Sequence, residues 1–443
     1  METWNQQVGS KMILNFDEFQ KANRTGGELD DIRIKNFNIF QKKGFPSKKE
    51  ESWKYTNLKI ILYKNLNKIK VPNNNKTSQY NSEWLLKDFQ HNQIILVNGD
   101  FVSSTFSFEA KEKIKIKPLK TVLRDKKGFE KIRDFFNDQK NSLTSLNHAL
   151  VHDGIFLEIE DNYSFNKPLV IYNFFDESSE NKIINSKCFI SLGKNSKLNM
   201  MECNKSKDSI KYFNNTIHHY SIQKNSILKK FSINKNLHKS YNYHLTSVKS
   251  YSNSIFENFL FSSESSFLKN EIHCDLLESY ASCFVNGLIL LNNEQHHELK
   301  TNVNHRHKYC KSSQLIKSVL LDKSNGTYQG KIYVDKDAQK TNGYQLSKAL
   351  VLSENSAFNS KPELEIYADD VKCSHGSTTG IIDQNSIFYL MSRGLSKEQA
   401  NKMLVEGFLS ETIETITDLN IKSVISKLFI DKISKTKFEI YEH

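Results

Sequence analysis

A short phrase, a polar turn leading into an apolar residue, returns along this chain at nearly constant spacing: NSKL at 195, NSIL at 225, NSIF at 253, ASCF at 281 and SSQL at 312. The intervals are 30, 28, 28 and 31 residues, and an offset series places NSAF at 355 and NSIF at 385. Self-similarity at such a period marks a solenoid, in which each coil buries its inward face only against the next. Between about 155 and 388 the texture is one of short alternating strands split by Asn, Ser, Lys and Gly, with little helical periodicity. A β-sandwich also has frequent short strands but no fixed interval. The spacing therefore predicts a mainly β chain whose core, over 155–388, is a parallel β-helix.

The flanks read differently. Region 1–154 mixes helical patterns with loops, including FDEFQKA near residue 16 and the aromatic-rich SWKYTNL at 52–58. An amphipathic pattern follows over Phe129 to Leu150, through Ile132, Phe135, Phe136, Leu143, Leu146 and Leu150. Helix gives way to strand after Asp153-Gly154. In region 389–443, Ser396 and Gln399 form an S-x-x-Q capping box, and Ala400, Met403, Leu404, Gly407 and Phe408 suggest one packing stripe. A second helix is expected over Ile421 to Lys432. Solenoid ends need covering, so these helices would cap the stack or offer a docking surface.

Composition removes several function classes. The formal charge of +12 invites a nucleic-acid partner, yet only six of the 62 basic residues are Arg, the residue on which bidentate phosphate and guanine recognition depends. Six cysteines occur without any C-x-x-C, and the opening METWNQQVGS lacks the charged and apolar regions of a signal peptide. No apolar run approaches the roughly 18 residues that span a bilayer. A soluble protein of the reducing cytoplasm is expected, with neither nucleic acid nor membrane as partner. GTYQGK at 326–331 fails the phosphate-loop pattern, because three residues separate its glycines and Ile332 follows the lysine. G-x-S-x-G and H-E-x-x-H are absent as well, which leaves hydrolase chemistry little support.

The stretch DDVKCSHGSTTG at 369–380 carries the main chemical candidates. If the strand through LEIYADDVKCSH runs unbroken, Cys373 and His375 share a face, and both suit iron or zinc. Two ligands do not close a site, so the remainder would come from elsewhere in the fold or from another chain. The plainer reading makes Cys373 a small buried hydrophobe and His375 a turn residue. A second cluster, HHELKTNVNHRHKYC, holds His296, His297, His305, His307 and Cys310, with His305 and His307 expected on one strand face. It either binds metal or hydrogen-bonds neighbouring turns.

From SSQLIKSVLL through LEIYADDVKCSHGSTTG to SIFYLMSRGLSKEQANKMLVEGF, with WKYTNL and LNHALVHDGIFLEI upstream, the chain resembles the SufD subunit of the SUF iron-sulfur cluster assembly scaffold. The resemblance implies a right-handed parallel β-helix flanked by N-terminal and C-terminal helical regions, in a non-catalytic scaffold subunit. It implies pairing with a SufB-like subunit (or with itself when alone) and docking of a SufC-like ATPase on the C-terminal helices. A nascent iron-sulfur cluster, transient and shared with SufB, would form near the subunit interface, with no cofactor stably bound in the isolated chain. By similarity His375 faces that site and Cys373 lies close to it. The chain departs from the SufD pattern at TNG (341–343), where T-D-A is usual, and at Ser347, where Asn is usual; neither adjoins the candidate ligands in sequence. A rival from another class is a β-helix transferase or lyase acting in a groove of the coils.

Overall fold

The computed structural model describes residues 13–14, 16–66, 69–71, 80–137, 140–207, 210–235 and 237–438; METWNQQVGS lies outside them. Successive strands from residue 153 onward alternate between two sheets, and between Ile183–Leu192 and Asn342–Val351 each pairs in parallel with the strand two places before and two places after it. One sheet has ten strands and ends at Lys372–Gly380; the other has nine and ends at Ala357–Ile366. This is the predicted parallel β-solenoid. Its parallel ladders run without register shift, so each paired strand residue stacks on a counterpart one coil away. The column Leu198, Leu228, Phe256, Cys283 is typical, and it points into a closed apolar interior.

The turn phrase is real, but its later copies drift. Asn195, Asn225 and Asn253 all adopt positive φ (54–60°), a conformation that Asn tolerates better than most residues. The ladder pairs Phe256 with Cys283 and Cys283 with Ser312, so ASCF runs one residue and SSQL three residues out of step with the true coil. The corner residues there are Tyr280 and Tyr309, both at φ 65°, with their rings stacked in parallel 5.0 Å apart. NSIF at 385 is no coil turn: Asp383 caps a helix at Gln384–Ser392 by accepting from the Asn385 and Ser386 N–H groups.

Region 1–154 contributes more strand than expected. Asn92–Val97 starts one sheet, and the antiparallel strands Asp100–Thr105 and Ile114–Pro118 close the first coil's edges. The Phe129–Leu150 pattern is not one helix but Lys126–Ile132, a tight turn at Arg133–Phe136, and Ser142–Leu150. The break is enforced by Asn141, whose side chain accepts from Leu143 and Thr144 N–H at 2.9 and 3.0 Å. At the other end, helices Lys397–Glu414 and Leu419–Lys435 pack on the outer face of the ten-stranded sheet, and the Ser396–Gln399 capping box is present. The packing stripe is Ala400, Val405, Leu409 and Ile413, whereas Met403 is 52% exposed. Among the described residues no helix is long and apolar enough to cross a membrane.

SWKYTNL is an anchor. Trp53 is fully buried against the nine-stranded sheet, with the Lys269 ammonium 4.3 Å from its ring centroid. Lys269 also donates to the Ser52 carbonyl at 2.6 Å and pairs with Glu298, which accepts in turn from Thr56. Burial alone would raise the Glu298 carboxyl; Lys269 and His296 overcome it and hold the group at about 2. Lys269→Met would strand that carboxylate, costing roughly 3–5 kcal/mol, whereas Lys269→Met with Glu298→Leu should recover most of the loss. Urea melts of the two variants check this.

Buried histidines add a pH dependence. Burial lowers His218 and His305 to about 4 and His244 and His297 to about 3, so all four are neutral at pH 7. As pH falls from about 6.5 toward 4, the unfolded chain takes up protons that the folded chain refuses, and stability declines. The expected loss at pH 5 is on the order of 1–2 kcal/mol per histidine relative to pH 7, measurable as a falling urea midpoint.

Candidate functional site at the open end of the solenoid

Among the described residues the solenoid stops without a cap of its own strands. Ala357–Ile366 and Lys372–Gly380 are the last members of their sheets, so each has one unpaired edge. The two edges differ chemically. Ala357–Ile366 carries Pro362 flanked by Lys361 and Glu363, devices that discourage a further strand. Lys372–Gly380 reads KCSHGSTTG, small and polar, with one charge at its start and no proline.

Both predicted site residues lie on this strand. LEIYADDVKCSH is not one strand: it breaks over residues 367–371, where the chain crosses between sheets. Cys373 and His375 both follow the break, so their common parity survives it. Ladder register puts Cys373 on Gly343 and His375 on Gln345. Those positions continue two inward columns, Leu198–Leu228–Phe256–Cys283–Ser312–Gly343 and Met200–Lys230–Asn258–Val285–Gln314–Gln345. The thiol and the imidazole therefore stand side by side at the mouth of the interior. Cys373 is half-buried against the Ile332, Val334, Ala338 and Ala368 cluster, and burial raises its pKa, offset in part by the Gly343 N–H. His375 is exposed.

The departure at residue 343, thirty residues away in sequence, lies directly beneath Cys373, and Ser347 is likewise the ladder partner of Ser377. Distance along a solenoid is misleading, since residues one coil apart are neighbours.

The second cluster is dispersed. The strand His296–His305 ends before His307, so the expected shared face does not exist. His305 points into the interior and contacts Ser312 Oγ at 2.8 Å; His307 is exposed and meets Ser279 Oγ at 2.7 Å. His297 is held between Ser262 Oγ and the Ser265 carbonyl, both at 2.7 Å, and His296 joins the Trp53 anchor through Thr56 at 2.8 Å. The Cys310 thiol donates to the Glu278 carbonyl at 3.3 Å. Among the described residues no three His, Cys, Asp or Glu side chains are grouped to hold a metal ion. What the end strand brings together is one thiol and one imidazole, Cys373 and His375, on the same face.

One surface went unnoticed in the sequence. The helix Gln384–Ser392 buries Ile387 but leaves Phe388 75% and Tyr389 57% exposed, with Met391 beside them and the Arg393 guanidinium 5.2 Å from the Tyr389 ring. The signal was the run IFYLM, which is apolar on every side of a helix that packs on one side only.

The other five cysteines are buried, and Cys188, Cys203, Cys274 and Cys310 have pKa values raised, chiefly by burial and, for Cys274, by a hydrogen bond with Cys283. Cys373 should thus be the one thiol that reacts quickly in the native protein. A disulfide-exchange reagent is expected to titrate one fast thiol in the folded chain, none in Cys373→Ser, and six in guanidinium. A second fast thiol would contradict this.

Comparison with known proteins identifies the family. The chain matches the family described as "SUF system FeS cluster assembly, SufBD core domain" over residues 174–408 and "SufBD protein N-terminal region" over 16–171. The iron-sulfur cluster assembly protein SufD of Escherichia coli is 39% identical over 128 residues, 29% of this chain and 30% of that protein. An iron-sulfur cluster assembly SufBD family protein of Synechocystis is 36% identical over 130 residues, 29% of each chain. The chain thus spans about a third of the length of these two relatives in the matched stretch. Protein ABCI7, chloroplastic, of Arabidopsis thaliana is 25% identical over 416 residues, 89% of this chain and 84% of that protein. A two-sheet solenoid with one open end, matched along nearly all its length by these family descriptions, belongs to the SufBD family of the SUF iron-sulfur cluster assembly system and is SufD-like.

Proposed function

We propose that this protein is a non-catalytic scaffold subunit that pairs with a SufB-like subunit through the strand Lys372–Gly380. The observation that carries the reading is the end coil itself: an unguarded edge whose inward side chains are a thiol and an imidazole. A partner strand added there would satisfy the free backbone groups and bring its own ligands to Cys373 and His375. The nascent iron-sulfur cluster is then cargo held between subunits, with His375 as ligand or electrostatic partner and Cys373 as a secondary thiol. A single chain with two ligands has no means of holding such a cluster by itself.

The exposed Phe388, Tyr389 and Met391 suit the dock for a SufC-like ATPase. An apolar patch with an arginine at its edge has the composition of an interface core. ATP-driven movement of that partner would act on the helical end, which leans on the solenoid through Lys317; its ammonium donates to the Phe408 carbonyl at 2.7 Å. We place the protein in a reducing compartment, consistent with six free cysteines. The cytoplasm is the first expectation, and the chloroplast relative makes an organelle interior an equal setting for the same chemistry.

Co-expression with SufB-like and SufC-like partners, followed by pull-down and anaerobic absorption spectroscopy, tests both surfaces. His375→Ala is expected to leave the complex intact while the cluster absorbance falls severalfold; normal absorbance would count against the role. Phe388→Asp is expected to lose the ATPase from the pull-down and keep the SufB-like subunit. Retention of the ATPase would move the dock elsewhere.

A further inference from the structure

The place beneath Cys373 is unlike the rest of its column. Positions further in carry Leu198, Leu228, Phe256, Cys283 and Ser312, and only the last position before Cys373 is glycine. A Cβ on Gly343 would meet Ile332 Cδ1 and Cγ2 at 3.3 Å and the Cys373 sulfur at 3.4 Å. The sulfur therefore leans off its own strand into the hollow that the missing side chain leaves, against the fully buried Ile332. A side chain on the terminal strand has room to do otherwise: rotation to another staggered χ1 well carries the sulfur off Gly343.

We propose that Gly343 is a positioning residue that stows the Cys373 thiol inside the mouth of the solenoid, so that the thiol must swing out of this hollow to act beside His375. Closing the hollow presents the thiol, and deepening it hides the thiol. The inference rests on the reading of Cys373 as part of the assembly site. It assigns that site a resting state in which the imidazole is exposed and the thiol partly covered, a state set by a residue with no ligating group of its own.

The test is the rate at which N-ethylmaleimide labels Cys373 at pH 7 in the full-length chain alone, followed by mass spectrometry of the peptide. Gly343→Ala crowds Ile332 and the sulfur together. Of the two, only the sulfur has open space beside it, so labelling is expected to be several-fold faster than in the unsubstituted protein. Adding Ile332→Val removes the Cδ1 atom that the new Cβ crowds, and should return the rate toward its original value. Gly376→Ala, on the outward face of the same strand, should stay within about twofold. An unchanged rate in Gly343→Ala overturns the proposal. So does a double variant that labels faster than Gly343→Ala, because a merely loosened end strand would behave that way. No partner, iron or sulfide enters the measurement, so its outcome is separate from that of the His375 assembly test.

Discussion

The parallel ladder between successive coils governs this molecule. Each residue faces its counterpart at the spacing of adjacent strands, about 4.8 Å, so the interior is a set of continuous columns rather than a conventional core. A column is stable where its members are alike or complementary. Most here are apolar, but one level holds a carboxylate: Glu202 is met by Lys230 at 3.0 Å and His218 at 3.2 Å, all buried. Such a group is tolerated only because its partners are delivered from two neighbouring strands in fixed register. The same register allows asparagine corners at positive φ to recur, since each corner inherits the geometry of the one below.

A ladder has ends, and the two ends of this one are treated differently. The first coil is closed by the antiparallel strands Asp100–Thr105 and Ile114–Pro118, the latter alternating lysine outward. The last coil is left with one guarded edge and one that is small, polar and open. An unpaired edge is a hazard that proteins usually suppress, so leaving one open points to use. The inward columns also end there, which places whatever residues terminate them in front of any added strand. Cys373 and His375 terminate two neighbouring columns. The proposed site split between subunits would use that construction.

Much of this was legible in the residues, and the failures have physical causes. The 30-residue phrase revealed the solenoid because a coil turn needs a corner residue that tolerates positive φ. It misled at 385 because an Asn-Ser pair after an aspartate serves a helix start just as well. Tyr280 and Tyr309 were missed as corners because tyrosine rarely adopts that conformation, and here their stacked rings accompany it. The helix stripe was assigned to Met403 rather than Val405 because an apolar segment rich on all sides has no unique phase. The pairing of Cys373 with His375 was visible as an i, i+2 spacing, while Gly343 stood thirty residues off and looked irrelevant.

The amino-acid order by itself determined the period, the alternation, the helix caps and the presence of two borderline-soft ligands two residues apart, because each is a local pattern answered by local backbone geometry. Only the folded chain decided which coil is last, which edge is free and what lies under each side chain. Those depend on where stacking stops and on contacts between residues about thirty positions apart, and no local pattern carries that information.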